Sequence, residues 1–514
     1  MGDTLANTAN FEPDKVSSGV SRNSSLLDDE NTVSESGADS DSAIERMENG
    51  GTAYNEKALT SDAEAPDWER DPENPYNWPT AKKWQQVAIS IGTSIMSPAT
   101  TQLQEEFGVG LTASLAPLSL YVFALALGPV LGGPLSETVG RHSTYTVLGS
   151  LGALFTLGCG FVHSFAGLCV LRFLSGFCYA PSLAVSAGVL NDVFHPRERG
   201  LPSALFVLTP FLGPGVAPLM GAFLVNRMGW RWTQWTMLFF YIEAMIVGLV
   251  WGRETYAPVL RRRRAKKLNI PQPSSKPFRA QIKLFVTVAL IRPVHMLFTE
   301  PIVAFVCLYA ACEFATLFCF FASVPFVFRG IYHFGPEEVG LVYISIIVGC
   351  LIGFATIVIC DICFYRPQVA RHPPHQVPPE YRLFPAMIGS LLAPVGIFWF
   401  GWTARPEISW ASPAVAIMPF AWGNICLFVS TTQYLVDTYH GNTVASAMSA
   451  NSLARYGLAG AFPLFTIQMY QNLGVGWATS ILGFIAVALL PVPWTLFKFG
   501  KAIRARSRYE TAKF

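Results

Sequence analysis

Twelve apolar runs of roughly 18 to 25 residues, the length of helix that crosses about 30 Å of hydrocarbon, fill most of the chain from residue 85 to residue 497. No water-soluble core absorbs that much apolar surface, so the fold class they impose is an all-α polytopic membrane protein. The expected spans are Gln85 to Leu103, Ser114 to Leu135, Tyr145 to Val162, Phe165 to Leu190, Leu201 to Val225 and Trp232 to Trp251. The second set is Pro301 to Phe328, Val339 to Cys360, Leu383 to Thr403, Trp410 to Val436, Ala445 to Tyr470 and Gly474 to Phe497. Charged residues make up only 14% of the chain, which excludes both an ordinary globule and a disordered protein.

Where the basic residues fall matters more than their number. One side of the spans collects Arg141, Arg197, Arg199, the Arg261 to Lys267 cluster, Arg366, Arg371, Arg382 and the arginines of the C-terminal tail. The other side has Arg227, Arg231, Arg329 and Arg405. The positive-inside rule then places both termini in the cytoplasm. The expected units are a disordered N-terminal tail (1–83), a six-helix bundle (84–252), a basic linker (253–300), a second six-helix bundle (301–498) and a basic C-terminal tail (499–514). The N-terminal tail is rich in Ser, Asp, Glu and Asn and has no apolar core, so the first span is expected to direct insertion. A division of six and six is that of transporters built from parallel repeats, whose substrate sits at the midplane between halves.

Little points to bound cofactors. The ten cysteines fall mostly inside expected helices, and Cys360 and Cys363 form a lone CxxC without partner ligands, so neither a disulfide framework nor a metal is expected. The sequence has no phosphate-binding GxxxxGK[ST] segment and no nucleophile and base constellation. An enzyme is therefore not expected, nor is a nucleic-acid partner; the expected partners are the bilayer, a small solute and protons, for a monomeric chain.

Thr209 to Ala222 reads TPFLGPGVAPLMGA. Proline removes a helix hydrogen bond and glycine removes the side chain that fills a groove, so this span is expected to bend and to let a neighbouring backbone approach. Gly133-Pro-Leu-Ser-Glu-Thr-Val-Gly-Arg-His142 joins the second and third spans. Here Gly133 and Gly140 permit a tight turn, and Glu137 and Arg141 are expected to make charge contacts worth about 1 kcal/mol that form in one state and break in another. Leu171-Arg-Phe-Leu-Ser-Gly176 puts Arg172 inside the fourth span, where it costs on the order of 3 kcal/mol unless it faces the bundle interior and finds a partner.

These segments resemble those of a fungal member of the major facilitator superfamily, in the twelve-span drug:proton antiporter family, over roughly residues 68 to 510. Asp71-Pro-Glu-Asn-Pro-Tyr-Asn-Trp78 resembles the entry to the first span in the fungal branch. Gly133 to His142 resembles GxLxDRxGR, with Glu137, Thr138 and His142 as departures. Gly213-Pro-Gly-Val-Ala-Pro-Leu-Met-Gly-Ala222 resembles the antiporter signature GPxxGPxxGG, with Ala217 and Ala222 for glycine but Gly213, Pro214, Pro218 and Gly221 kept. The resemblance implies two pseudo-symmetric six-helix bundles, export by exchange, and a part for Arg172 in proton coupling.

A proton-coupled carrier needs a titrating group where solute competes for it. Glu313, about a third of the way into the seventh span, is the first candidate, and Glu243 in the sixth is the second; Asp437 stands at the inner end of the tenth. Arg455 and Asn451 in the eleventh span are expected to face Asn424, Gln433 and Tyr434 of the tenth, with Tyr121, Tyr309 and Phe314 as an aromatic wall. The function expected is a proton-driven exporter of small organic molecules in a plasma membrane. A carrier of a polyamine or organic acid, and a non-transporting receptor, remain as alternatives.

Overall fold

The computed structural model describes residues 74–77, 99–194, 200–267, 286–372, 377–440, 442–509 and 511–512. The N-terminal tail apart from 74–77, most of the first expected span, residues 195–199 with the expected Arg197 and Arg199, and linker residues 268–285 lie outside them. The N-terminal half contains α1 (Thr100–Phe107), α2 (Leu111–Ser114), α3 (Ala116–Val139), α4 (Arg141–Phe161), α5 (Phe165–Val193), α6 (Gly200–Met228), α7 (Arg231–Trp251) and α8 (Ala257–Lys267). The C-terminal half contains α9 (Arg292–Thr299), α10 (Pro301–Gly330), α11 (Pro336–Val342), α12 (Ile344–Cys360), α13 (Arg366–Arg371), α14 (Phe384–Thr403), α15 (Ala411–Thr438), α16 (Asn442–Leu489) and α17 (Pro491–Arg504). Spans two to ten each correspond to their own helix or helix pair. Spans eleven and twelve share α16, which breaks at Gly474, where φ is 74° and ψ 161°.

Helix ends follow local chemistry. Gly140 takes φ 113° between α3 and α4, a conformation open to glycine. Ser164 caps α5 by accepting the Gly167 N–H at 3.2 Å, which separates the third and fourth spans cleanly. Pro336 opens α11, and the Glu338 carboxylate reaches back to the Gly335 N–H at 2.7 Å. Among the long helices, α10 is central, with 78% of its apolar window buried, and α7 peripheral, with 28%.

Small residues set how closely the helices pack. In α14 and α15, a Cβ on Gly423 would stand 2.6 Å from the Gly389 carbonyl oxygen, and one on Gly389 would meet the Gly423 carbonyl at the same distance. The two backbones therefore touch, as apolar helices do where no side chain intervenes. α6 approaches the other half in the same way. A Cβ on Gly215 would lie 2.6 Å from Ile347 Cγ1, and one on Gly340 would lie 2.6 Å from Ala222 Cβ. The segment is one continuous helix with Pro210, Pro214 and Pro218 inside it. Its buried Pro214, Gly215, Pro218, Gly221 and Ala222 recur on one face, and this face packs on α11 and α12.

The halves also meet at the end away from the basic loops. Arg227 pairs with Glu337 at 2.8 Å, Asn226 donates to the same carboxylate at 3.1 Å, and Arg329 donates to Thr101 at 3.1 Å. Leu115, Ala322 and Ile467 cluster beside them.

At the basic end each half repeats one design. Arg141, opening the third helix of its half, pairs with Asp192 at the end of the fourth at 3.0 Å, with the Tyr256 ring 4.9 Å away. Arg382, just before α14, pairs with Asp437 at the end of α15 at 2.9 Å, with the Tyr365 ring 3.5 Å away. Asp437, a candidate membrane acid by sequence, is thus a partner in this surface cluster.

Replacing Gly423 with Val pushes a branched side chain into the α14 backbone and is expected to cost about 1–3 kcal/mol. The apparent unfolding temperature of the solubilised protein should fall by several degrees. Gly457→Ala, where a Cβ would meet nothing within 4 Å, should leave it unchanged.

Candidate functional site: a buried acid in the C-terminal half

Two faces of two helices build a small cavity at the centre of the C-terminal half. Tyr309, Ala310, Glu313 and Phe314 come from α10; Asn424, Leu427, Phe428 and Thr431 come from α15. The α15 set follows the i, i+3, i+4, i+7 spacing of one helix face. Glu313 is 5% exposed, and its Oε2 has no hydrogen-bond partner; the buried Tyr309 hydroxyl has none either. The Asn424 amide donates to the Glu313 backbone carbonyl at 3.0 Å, which fixes α10 against α15. A buried carboxyl oxygen without a donor costs desolvation and is available to a proton or a ligand.

Arg455 stands beside this cavity rather than in it. Its guanidinium carbon lies 4.7 Å from the Phe314 ring centre, 4.5 Å from that of Phe428 and 4.3 Å from that of Tyr456. Three ring faces thus surround the buried charge, each supplying quadrupolar attraction in place of a counter-ion. Phe314 and Phe428 also touch Phe211 of α6, at 6.1 and 4.9 Å between centres. The cavity wall therefore includes a contact between the halves.

Arg172, 1% exposed, points inward. It lies 4.5 Å from the Tyr121 ring centre and donates to Gln234 at 3.3 Å. Among the described residues it makes no ion pair with a carboxylate. Its position excludes snorkelling, and its partners are an aromatic face and an amide from α3 and α7.

The sequence matches the Major Facilitator Superfamily over residues 85–463. The chain belongs to this family. It is 34% identical to Polyamine transporter 4 of Saccharomyces cerevisiae over 98% of this chain and 79% of that one. It is 37% identical to the major facilitator superfamily multidrug transporter mdrA of Aspergillus fumigatus, over 86% of this chain and 75% of that one. Its backbone also resembles the xylose transporter XylE from E. coli in a partially occluded inward-open conformation. The TM-score is 0.57 at 15% identity, covering 81% of this chain and 96% of that chain, a likeness of fold.

Within this superfamily member several expected site residues move. Glu243 is exposed on the face of α7 that also presents Phe239, Phe240, Ile246 and Val250. Its depth along the span was legible, but the face was fixed by Tyr241 and Leu238 packing inward, so it stands apart from the cavity. Tyr121 serves Arg172. Tyr434 is buried near Glu380 and Gly500 at the basic end, Gln433 is half-buried outside the lining, and Asn451 is buried with its Oδ1 unpartnered. Tyr309, Phe314 and Asn424 do line the cavity.

In the turn motif desolvation by the surrounding protein raises the Glu137 carboxyl above its ordinary range and the Arg141 charge pulls it down, while the hydrogen bonds of Arg141 go elsewhere. Glu137 is exposed, and Arg141 turns to Asp192 and to Ser136 at 2.6 Å. The Arg141 backbone N–H donates to Glu254 at 2.8 Å, and the Glu254 carboxylate fills the space a Gly140 side chain would need. Burial pushes the Asp192 carboxyl above its ordinary range, against the pull of Arg141. Sequence reasoning passed over Asp192 and Glu254; the signal was an acid at each helix end facing the Gly140-Arg141 turn.

Asp192→Asn and Glu254→Gln are expected to slow transport by on the order of tenfold, a coupling of about 1.4 kcal/mol. Glu137→Gln should stay within about twofold. Initial rates in reconstituted vesicles, with folding checked by elution profile, decide between the two partners.

Proposed function

We propose that this transporter exchanges protons for small organic molecules and exports them from the cytoplasm, with both termini cytoplasmic and a single chain as the working unit in a plasma membrane. The observation that carries the reading is Glu313: a buried carboxylate with an unpartnered oxygen, lining an aromatic cavity that touches α6 of the other half. A proton and a solute compete for that oxygen. When solute binds, the proton leaves; when solute departs, a proton returns, and the two occupancies favour opposite openings of the cleft. The multidrug relative supports solutes with large apolar surfaces, which Phe314, Phe428 and Tyr309 suit.

The drive is sufficient. At about 100 mV and one pH unit each inward proton supplies about 2.3 kcal/mol from the potential and about 1.4 kcal/mol from the pH step, enough for a gradient of roughly several hundred-fold. Arg172 acts in this scheme as a fixed charge that braces α3, α5 and α7 rather than as the partner of an acid.

The polyamine relative supports a second reading, in which the solute is a protonated amine. Glu313 faces an aromatic wall, and a cation displaces a proton from such a site more directly than a neutral solute does.

Vesicle uptake driven by an imposed pH gradient tests both readings, with ethidium and spermidine as probes. The wild type should concentrate one of them and lose the gradient response with an uncoupler. Glu313→Gln should lose the gradient response by at least about tenfold while keeping solute exchange at equal pH. Native concentration by both Glu313→Gln and Arg172→Ala would contradict the assignment.

A further inference from the structure

The chain after α17 folds back across the basic end of the C-terminal half. Arg504 is 3% exposed; its guanidinium pairs with Glu380, and its Nε donates to the Ala512 carbonyl at 3.1 Å. The Ala512 N–H donates to the Thr438 carbonyl at 2.9 Å, and Thr511 pairs antiparallel with Tyr439. Between these anchors the strap hangs on one carboxylate. Glu300 accepts the Ser507 hydroxyl at 2.8 Å, the Arg508 N–H at 3.1 Å and the Tyr439 hydroxyl at 3.2 Å. Tyr509 reaches His295 of α9 at 2.9 Å. The strap thereby ties α9, where the linker enters this half, to the ends of α15 and α17.

Ser507 is the weak point of this device. It is half-buried, and Arg504, Arg506 and Arg508 lie three before, one before and one after it, with Arg506 and Arg508 exposed. A hydroxyl in that basic setting is complementary to the acidic cleft of a basophilic protein kinase. Thr511, the neighbouring hydroxyl, is buried and already donates to the Arg504 carbonyl. Short surface straps open locally far more often than the helices they cover, so a kinase meets Ser507 in the undocked tail.

We propose that Ser507 is a phosphorylation site whose modification holds the C-terminal strap off Glu300 and releases its tie to His295 of α9. The Ser507 oxygen attacks the γ-phosphorus of ATP, the bond to the β-phosphate oxygen breaks, ADP leaves and the hydroxyl proton is released. The product has lost the donor that Glu300 accepted and carries about two negative charges in its place, so redocking sets phosphate against carboxylate. Docked and undocked straps are thus two states, and the phosphate biases the second. The inference rests on the proposed cytoplasmic placement of the basic end, but its test on purified protein does not.

The full chain in detergent is incubated with ATP and the catalytic subunit of a basophilic kinase, and the tail is followed by peptide mass and hydrogen exchange. Phosphate should appear on Ser507 and be absent from Ser507→Ala. Exchange at residues 508–512 should rise at least about tenfold in the phosphorylated protein and in Ser507→Glu. Adding Glu300→Gln to Ser507→Glu should restore part of the protection, because the repulsion is gone. No phosphate at Ser507, or a phosphorylated tail as protected as the unmodified one, would overturn the proposal.

Discussion

The close approach of α6 to α11 and α12, with a glycine on one side of each contact, is the interaction on which the rest of the structure depends. Gly215 faces Ile347 and Ala222 faces Gly340 so closely that a single added methyl group would collide. Large interlocking side chains would fix one relative position of the halves, whereas small ones leave a smooth surface along which packed helices shift at little cost. The same helix carries Phe211 to the wall of the cavity, where it meets Phe314 and Phe428, and the Phe211 carbonyl lies 3.5 Å from the Cys350 sulfur of α12. A shift of α6 therefore alters the surroundings of Glu313 directly. Solute export and the position of the halves are linked through ring contacts.

Three buried charges inside the spans show how a membrane protein holds ions without water. Arg172 rests on Tyr121 and Gln234, and Arg455 lies among three aromatic rings. Both are accommodated by ring faces and an amide, and among the described residues neither pairs with Glu313, whose Oε2 has no hydrogen-bond partner. In the proposed exchange that separation matters, because a carboxylate already paired with Arg455 would have little reason to exchange a proton for solute. The ion pairs are kept at the two ends, where Arg141 with Asp192, Arg382 with Asp437 and Arg227 with Glu337 hold helix termini.

Much of this was legible in the sequence, and what was missed has a common cause. Run length and hydropathy identify a span, so α3 to α7, α10, α12, α14, α15 and α16 fall where the apolar runs do, whereas α8, α9 and α13 lie in segments read as linker or loop. The small residues of Thr209 to Ala222 announced a close approach but not its partner. Depth along a span is a one-dimensional property, and so Glu313 and Glu243 looked alike; only packing told the inward face of α10 from the outward face of α7. Likewise the Gly133 to Arg141 turn showed that a charge stood there, while Asp192 and Glu254, distant in the chain, became its partners through folding. The strap formed by residues 505–509 and 511–512 was read as a basic tail because nothing in its composition reveals that Glu300 and Glu380 wait beneath it.

The central claim is that the halves rock about the α6 contact under the control of a proton on Glu313. Its most direct test is the distance between spin labels at Met228, the end of α6, and Leu341 of α11, measured by pulsed electron resonance in bilayers at low and high pH. The account predicts two distance populations whose ratio changes with pH, and a ratio that no longer responds to pH in Glu313→Gln. A single distribution that ignores pH, or a pH response unchanged in Glu313→Gln, would contradict it.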